Sequence, residues 1–193
     1  MKVSREEATQ NRERIIEAAA KLFRERGFDG IGVAELMKSA GLTHGGFYGH
    51  FASKEDLMAQ ACARAMEGAL DTMHQVAESG DPNALSTIAS AYLSTEHRDR
   101  TGDGCTLAAL GAEAARHGSA LRGAFTQGVR AAIDLLTKLL TGKSRRARRE
   151  RALAIYASMV GALVLARAVD DADLSEEVMK AVLASIKRVD LPS

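Results

Sequence analysis

Apolar residues return every three or four positions along almost the whole chain, beginning with Ile15, Ile16, Ala19, Leu22 and Phe23. Nowhere do they alternate with polar residues as in a half-buried strand, so burial of these side chains requires helices. Composition points the same way. The 193 residues include 35 Ala, five Phe, three Tyr, no Trp and two prolines, Pro82 and Pro192, each where an element can end. Ala has the lowest helix cost, and Pro the highest. Apolar residues make up 46% of the chain, and 26 basic face 25 acidic side chains. That balance excludes a disordered polyampholyte and leaves enough apolar surface for a core. The pattern predicts an all-α fold of about nine helices.

The first helix is expected from Thr9 to a Gly terminator at Gly27, and a shorter one carries Val33, Leu36, Met37 and Ala40 and stops at Gly41. Thr43 can cap a third, holding Phe47, Tyr48 and Phe51. Three helices in about 50 residues, the last two joined by a tight turn, make a helix-turn-helix unit. Ser53 with Asp56 is a near capping box for a fourth helix reaching Glu78, before the break Gly80-Asp81-Pro82. Further helices are expected over Leu85 to Leu93, Cys105 to Arg116, Leu121 to Gly142 and Ser144 to Val169, with a last one capped by Ser175.

The opening Met-Lys-Val-Ser-Arg-Glu-Glu lacks the apolar stretch of an export signal, so a cytoplasmic location is expected. The longest uncharged run, Ala152 to Ala166, rises only about 22 Å as a helix, short of a bilayer core of roughly 30 Å. It reads as a buried helix, with no membrane partner. Two cysteines, Cys62 and Cys105, are too few for a disulfide framework. The five histidines have no metal-ligand spacing, and no cofactor is implied.

Residues 41–57, Gly-Leu-Thr-His-Gly-Gly-Phe-Tyr-Gly-His-Phe-Ala-Ser-Lys-Glu-Asp-Leu, resemble the recognition-helix signature of the TetR family of bacterial transcriptional regulators. Arg12, Arg14, Ile15, Ile16, Ala18, Ala19, Leu22, Phe23, Gly27 and Phe28 fall where that family's first-helix pattern puts them. The resemblance covers about 50 residues. It implies a DNA-binding head over 1–55, a sensor and dimerisation body over 56–193, and double-stranded DNA with a palindromic operator as partner. It assigns base contacts to His44 and Gly45, phosphate or base contacts to Tyr48 and His50, and phosphate contacts to Thr43 and Lys54. The residue physics agrees: Gly41 permits a left-handed turn, and Leu42, Phe47 and Phe51 can hold the third helix inward while Thr43, His44, Gly45, Tyr48 and His50 face out. Two departures stand out. Gly46 replaces a hydroxyl residue able to bind phosphate, and Gly32 is a weak cap where Thr or Ser is usual.

One short helix reads only a few base pairs, so a homodimer is required. Ala154, Ala157, Ser158, Gly161 and Ala162, with Leu153, Val160 and Leu163, offer a face for close helix approach. An unknown small-molecule effector is implied by the size of the body. Met66, Met73, Tyr92, His97, Phe125 and Tyr156 are candidates to line its pocket, and core packing is the competing role for each. Cys105 follows Gly102-Asp103-Gly104 at an expected helix start, where a thiol can gain reactivity. The segment from Gly104 to Glu113 also looks like that of TetR-family members that sense oxidants or electrophiles; a small buried helix residue is the alternative. The arginines at 145, 146, 148, 149 and 151 read as a solvated helix start. The function implied is a homodimeric repressor released from DNA by a ligand or by thiol modification, with coupling through the fourth helix. The competing classes are a helical protein-binding adaptor and an enzyme, the latter without a recognisable active site. Residues 1–55 hold nine basic and eight acidic side chains, so the single surplus charge lies in the head. Binding must then rest on a few positioned contacts.

Overall fold

The structure is a computed structural model that describes residues 4–190. Among these there is no strand. The order is α1 (Arg5–Arg26), α2 (Val33–Ser39), a 3-10 helix (His44–Gly49), α3 (Lys54–Glu78), α4 (Ala84–Tyr92), α5 (Thr95–Asp99), a 3-10 turn (Thr101–Asp103), α6 (Thr106–Ala114), α7 (Ser119–Leu139), α8 (Arg145–Ala168) and α9 (Ala172–Asp190). Pro192, read as following the last element, lies outside the described residues.

Two helix starts and one whole helix differ from the sequence reading, each for a local reason. α1 starts at Arg5 and not at Thr9, because the Ser4 hydroxyl accepts the Glu7 amide at 3.1 Å and Glu6 and Glu7 sit at the positive end of the helix. α9 starts at Ala172, where the Asp171 carboxylate accepts the amides of Asp173 and Leu174 at 2.9 and 3.0 Å. Ser175 is therefore not its cap. It is buried and donates its hydroxyl to the Ala166 carbonyl at 2.7 Å, tying α9 to α8. α5 was not expected, since residues 94–100 carry no apolar side chain; Ser94 caps it by accepting the His97 amide.

Two apolar cores form. The first joins Ile15, Phe23, Phe28, Leu36, Phe47, Phe51 and Leu57 of the N-terminal helices to Leu110, Ala114, Leu121 and Phe125 of α6 and α7. The second lies among α4, α7, α8 and α9, around Leu85, Leu136, Tyr156, Met159 and Ile186. α3 runs from one to the other alongside α7. α8 is long and apolar enough to cross a membrane by length and composition, yet Ala152, Ile155, Tyr156, Met159, Ala162, Leu163 and Ala166 are buried, where it packs on α7 and α9. Helical periodicity puts Ala162 and Leu163 on that inner face, so they belong to the protomer's core and not to a docking face. Leu153, Ala154, Ala157, Ser158, Val164 and Leu165 are exposed.

Candidate functional site

α2 ends in a Schellman motif. The Leu42 amide donates to the Met37 carbonyl at 2.9 Å and the Gly41 amide to the Lys38 carbonyl at 3.0 Å, which requires Gly41 at φ +73°. The turn aims the following segment across α2. That segment is a 3-10 helix and not an α-helix, and Thr43 precedes it without a side-chain capping bond. Phe47 and Phe51 are buried, which fixes the other face outward: Thr43, His44, Gly45 and Tyr48 are exposed, Tyr48 by 74% with its ring edge on Phe47. His50 is half-buried beside Phe51. Lys54, the first residue of α3, is half-buried, and its ammonium donates to the Phe28 carbonyl at 2.6 Å. That bond offsets the unfavourable position of a cation at a helix start, and the ammonium retains two further protons. Arg12 of α1 packs beside the end of this segment. Its guanidinium stacks 5.2 Å from the Phe51 ring centre and donates to Gln60. Nothing in the sequence pairs Arg12 with residues so distant in the chain.

Gly45 and Gly49 have open space where a β-carbon would stand, and neither has a positive φ. The glycines therefore weaken the segment without being needed sterically. Amide exchange at 44–50 is expected to be faster than in α1, and Gly49→Ala should slow it by adding up to about 1 kcal/mol of helix preference. Hydrogen-exchange mass spectrometry of the two proteins checks this; equal protection of the segment and α1 would refute it.

Further along, a cavity of about 470 Å³ opens among α3, α4, α6, α7 and α8. Met66, Met73, Tyr92, His97, Cys105 and Tyr156 line it, whereas Phe125 does not: it faces the first core. Cys105 is half-buried and is the N-cap of α6, and its amide donates to His97 Nε2 at 2.9 Å. His97 Nε2 is thus an acceptor, so Nδ1 carries the proton and donates to the Tyr92 carbonyl at 2.6 Å. Burial raises the Tyr92 phenol well above its usual range. The neighbouring Cys105 sulfur adds to the rise, although its approach does not meet hydrogen-bond geometry and leaves the hydroxyl unpartnered. Cys62, by contrast, is sealed in the first core, and burial pushes its thiol up to about 12.

Burial, with the Arg167 charge nearby, lowers the His97 pKa, against the upward pull of its bond to the Tyr92 carbonyl. Its neutral form therefore stabilises the fold. This contribution is complete above the ordinary value of about 6.5 and is lost as the pH falls from there toward the lowered folded value. Urea unfolding at pH 7.5 and 5.5 should show lower stability at the acid end, and His97→Gln should show a smaller difference. An unchanged difference would assign the effect to other groups.

α6 touches the head at both ends. Near its start, Arg24 Nε of α1 donates to the Gly102 carbonyl at 2.7 Å. In its last turn, Glu113 accepts the Phe28 amide at 2.9 Å; just past its end, the Gly118 amide donates to Glu55 of α3 at 2.7 Å and His117 packs edge-on against Phe28. The fourth helix of the sequence reading, α3, is thus not alone in linking cavity and head, since α6 does so as well. The α6 link escapes the sequence because its partners lie 63 to 85 residues apart.

The family profile described as "Bacterial regulatory proteins, tetR family" matches residues 15–61, which hold α2, the turn and the outward-facing 3-10 helix. The transcriptional repressor NemR of Escherichia coli K12 is 30% identical over 132 residues, covering 67% of this chain and 66% of that protein. The regulator AcrR of Shigella flexneri is 32% identical over 81 residues, 41% of this chain and 38% of its own length. The solved reduced form of E. coli NemR superposes with a TM-score of 0.79 at 24% identity, covering 93% of this chain and 96% of that one. A TetR-family regulator from Cytophaga hutchinsonii gives 0.81 at 20% identity, with both chains fully covered. Sequence relatives, structural neighbours and the geometry of the head agree: the chain belongs to the TetR family of bacterial regulatory proteins.

Proposed function

We propose that this protein is a transcriptional repressor that binds a palindromic operator as a homodimer and leaves it when its body binds an effector or is modified at a thiol. One observation carries the reading: the 3-10 helix buries Phe47 and Phe51 while exposing Thr43, His44, Gly45 and Tyr48 on one face, with Lys54 alongside. A short helix so presented can enter the major groove and read base edges. His44 and Gly45 are assigned to bases, Tyr48 and His50 to bases or phosphate, and Thr43 and Lys54 to phosphate. Residues 1–55 form the head and 56–193 the sensor and dimerisation body. The exposed Leu153, Ala154, Ala157, Ser158 and Leu165 of α8 support docking of a second copy on this face.

Release is assigned to the cavity. Cys105 borders it at the N-cap position of α6, so a group added to the sulfur, or a ligand beside it, displaces the helix and the flanking residues that hold Arg24, Phe28 and Glu55. A conformation with different head spacing is then favoured by its better fit to the ligand. The repressor names of the sequence relatives support this direction. The test is selection of genomic fragments by the purified protein, then release from the best fragment. Oxidants and electrophiles should release wild type and fail on Cys105→Ser, which is expected to retain operator binding. If Cys105→Ser is released as readily, the thiol route is wrong. If no palindromic fragment is selected, the repressor reading is wrong.

A further inference from the structure

The cavity also carries information about the effector's chemistry, an inference that rests on the effector reading above. Most of its wall is apolar, formed by residues such as Met66, Met73, Val76, Ile88 and Leu107. Its charged lining consists of Arg24, Arg64 and Asp103. Asp103 already has partners, since Arg100 donates to it at 3.0 Å and the Lys21 ammonium stands 4.0 Å away. The arginines are less fully engaged. Arg64, exposed on α3, has no hydrogen bond or ion pair with the described residues. Arg24 uses Nε on the Gly102 carbonyl but has no carboxylate within ion-pair distance among them. The cavity thus holds two cationic groups, Arg64 without a partner among the described residues and Arg24 attracted by Asp103 without a direct ion pair, in a setting where apolar walls strengthen attraction. Two lining hydroxyls, on Tyr92 and Thr106, are buried without a hydrogen-bond partner, and Thr106 is only 4% exposed. Such groups favour a ligand that accepts hydrogen bonds.

A cationic ligand would meet two arginines and a carboxylate that is already paired. A purely apolar one would cover the guanidiniums and leave them unmatched. We propose that the cavity takes an apolar carboxylate with a flat body, its acid group on the side of Arg24 and Arg64 and its body between Met66, Met73 and Leu107. Methionine sulfur and flexible methionine stems suit a planar surface, and guanidinium pairs well with carboxylate.

Calorimetry on the full chain without DNA tests this with three probes of one shape: 2-naphthoate, 2-naphthamide and 2-naphthylmethylammonium. Naphthoate is expected to bind about tenfold or more tightly than the ammonium compound. Arg64→Glu should abolish that preference and leave naphthamide binding unchanged. Arg64 is exposed and unpaired, so the variant should keep the wild-type melting temperature. Equal or tighter binding of the ammonium compound overturns the proposal, as does an unchanged naphthoate affinity in Arg64→Glu or the absence of naphthoate binding at about 1 mM. Operator binding is measured on the same sample. If it is intact while the probe preference fails, only the ligand class is wrong; if it is absent, the regulator reading itself fails.

Discussion

Replacing His44 by Ala is expected to weaken operator binding by about 1–3 kcal/mol for each head, and so by about 2–6 kcal/mol in a dimer, or roughly 30-fold to 10⁴-fold. His44 is exposed, whereas the segment is anchored by Phe47 and Phe51, which the substitution leaves in place. Far-ultraviolet circular dichroism and the melting temperature should therefore remain those of wild type. Fluorescence anisotropy with the operator and with single-base variants provides the measurement. Loss should concentrate at the base pair that His44 reads, since a base contact carries sequence information and a phosphate contact does not. Undiminished operator affinity in His44→Ala would remove His44 from the interface.

Phe28→Ala should have the largest effect on stability, about 3–5 kcal/mol. The ring is fully buried, meeting Phe23 edge-on at 5.4 Å and His117 at 5.2 Å between centres. Its own backbone holds two long-range bonds, the amide to Glu113 and the carbonyl from Lys54. Removing the ring leaves a cavity where α1, α6 and the start of α3 meet, and rigid neighbours fill such a space only partly. A domain is typically stable by only about 5–15 kcal/mol, so this is a large fraction of the whole. The ring also belongs to the joint between head and body, so any effector response left in the folded variant should be weaker than in wild type. Urea unfolding followed by circular dichroism measures the first effect, and release of operator DNA the second. A loss below about 1 kcal/mol would mean that the site collapses and that the joint is not rigid.

The helices and the head were legible because their signals are local. Ile15, Ile16, Ala19 and Phe23 share a face by periodicity, and Gly41 marks the turn because a left-handed residue ends α2 there. Where apolar spacing was missing, the signal failed. The first turn of α1 and the whole of α5 are held by Ser4, Ser94 and neighbouring amides in polar stretches. For 44–49 the sequence shows a helix weakened by three glycines in six residues, but not that it takes the 3-10 form. Pocket candidates fared unevenly for a similar reason. Met66, Tyr92, His97 and Tyr156 reach the cavity, while Phe125 on α7 turns toward the head, a choice set by which neighbours arrive from elsewhere in the chain.

The sequence by itself determined the helical class, the turn at Gly41 and the outward set from Thr43 to Tyr48, since each depends on residues within one or two helical turns of one another. Tertiary structure alone decided that Lys54 is held by Phe28, that Arg12 stacks on Phe51, that Cys105 shares a cavity with His97 and two arginines, and that α6 links this cavity to the head. Those contacts join residues that are mostly tens of positions apart. Their formation depends on the packing of whole helices, which no local pattern encodes.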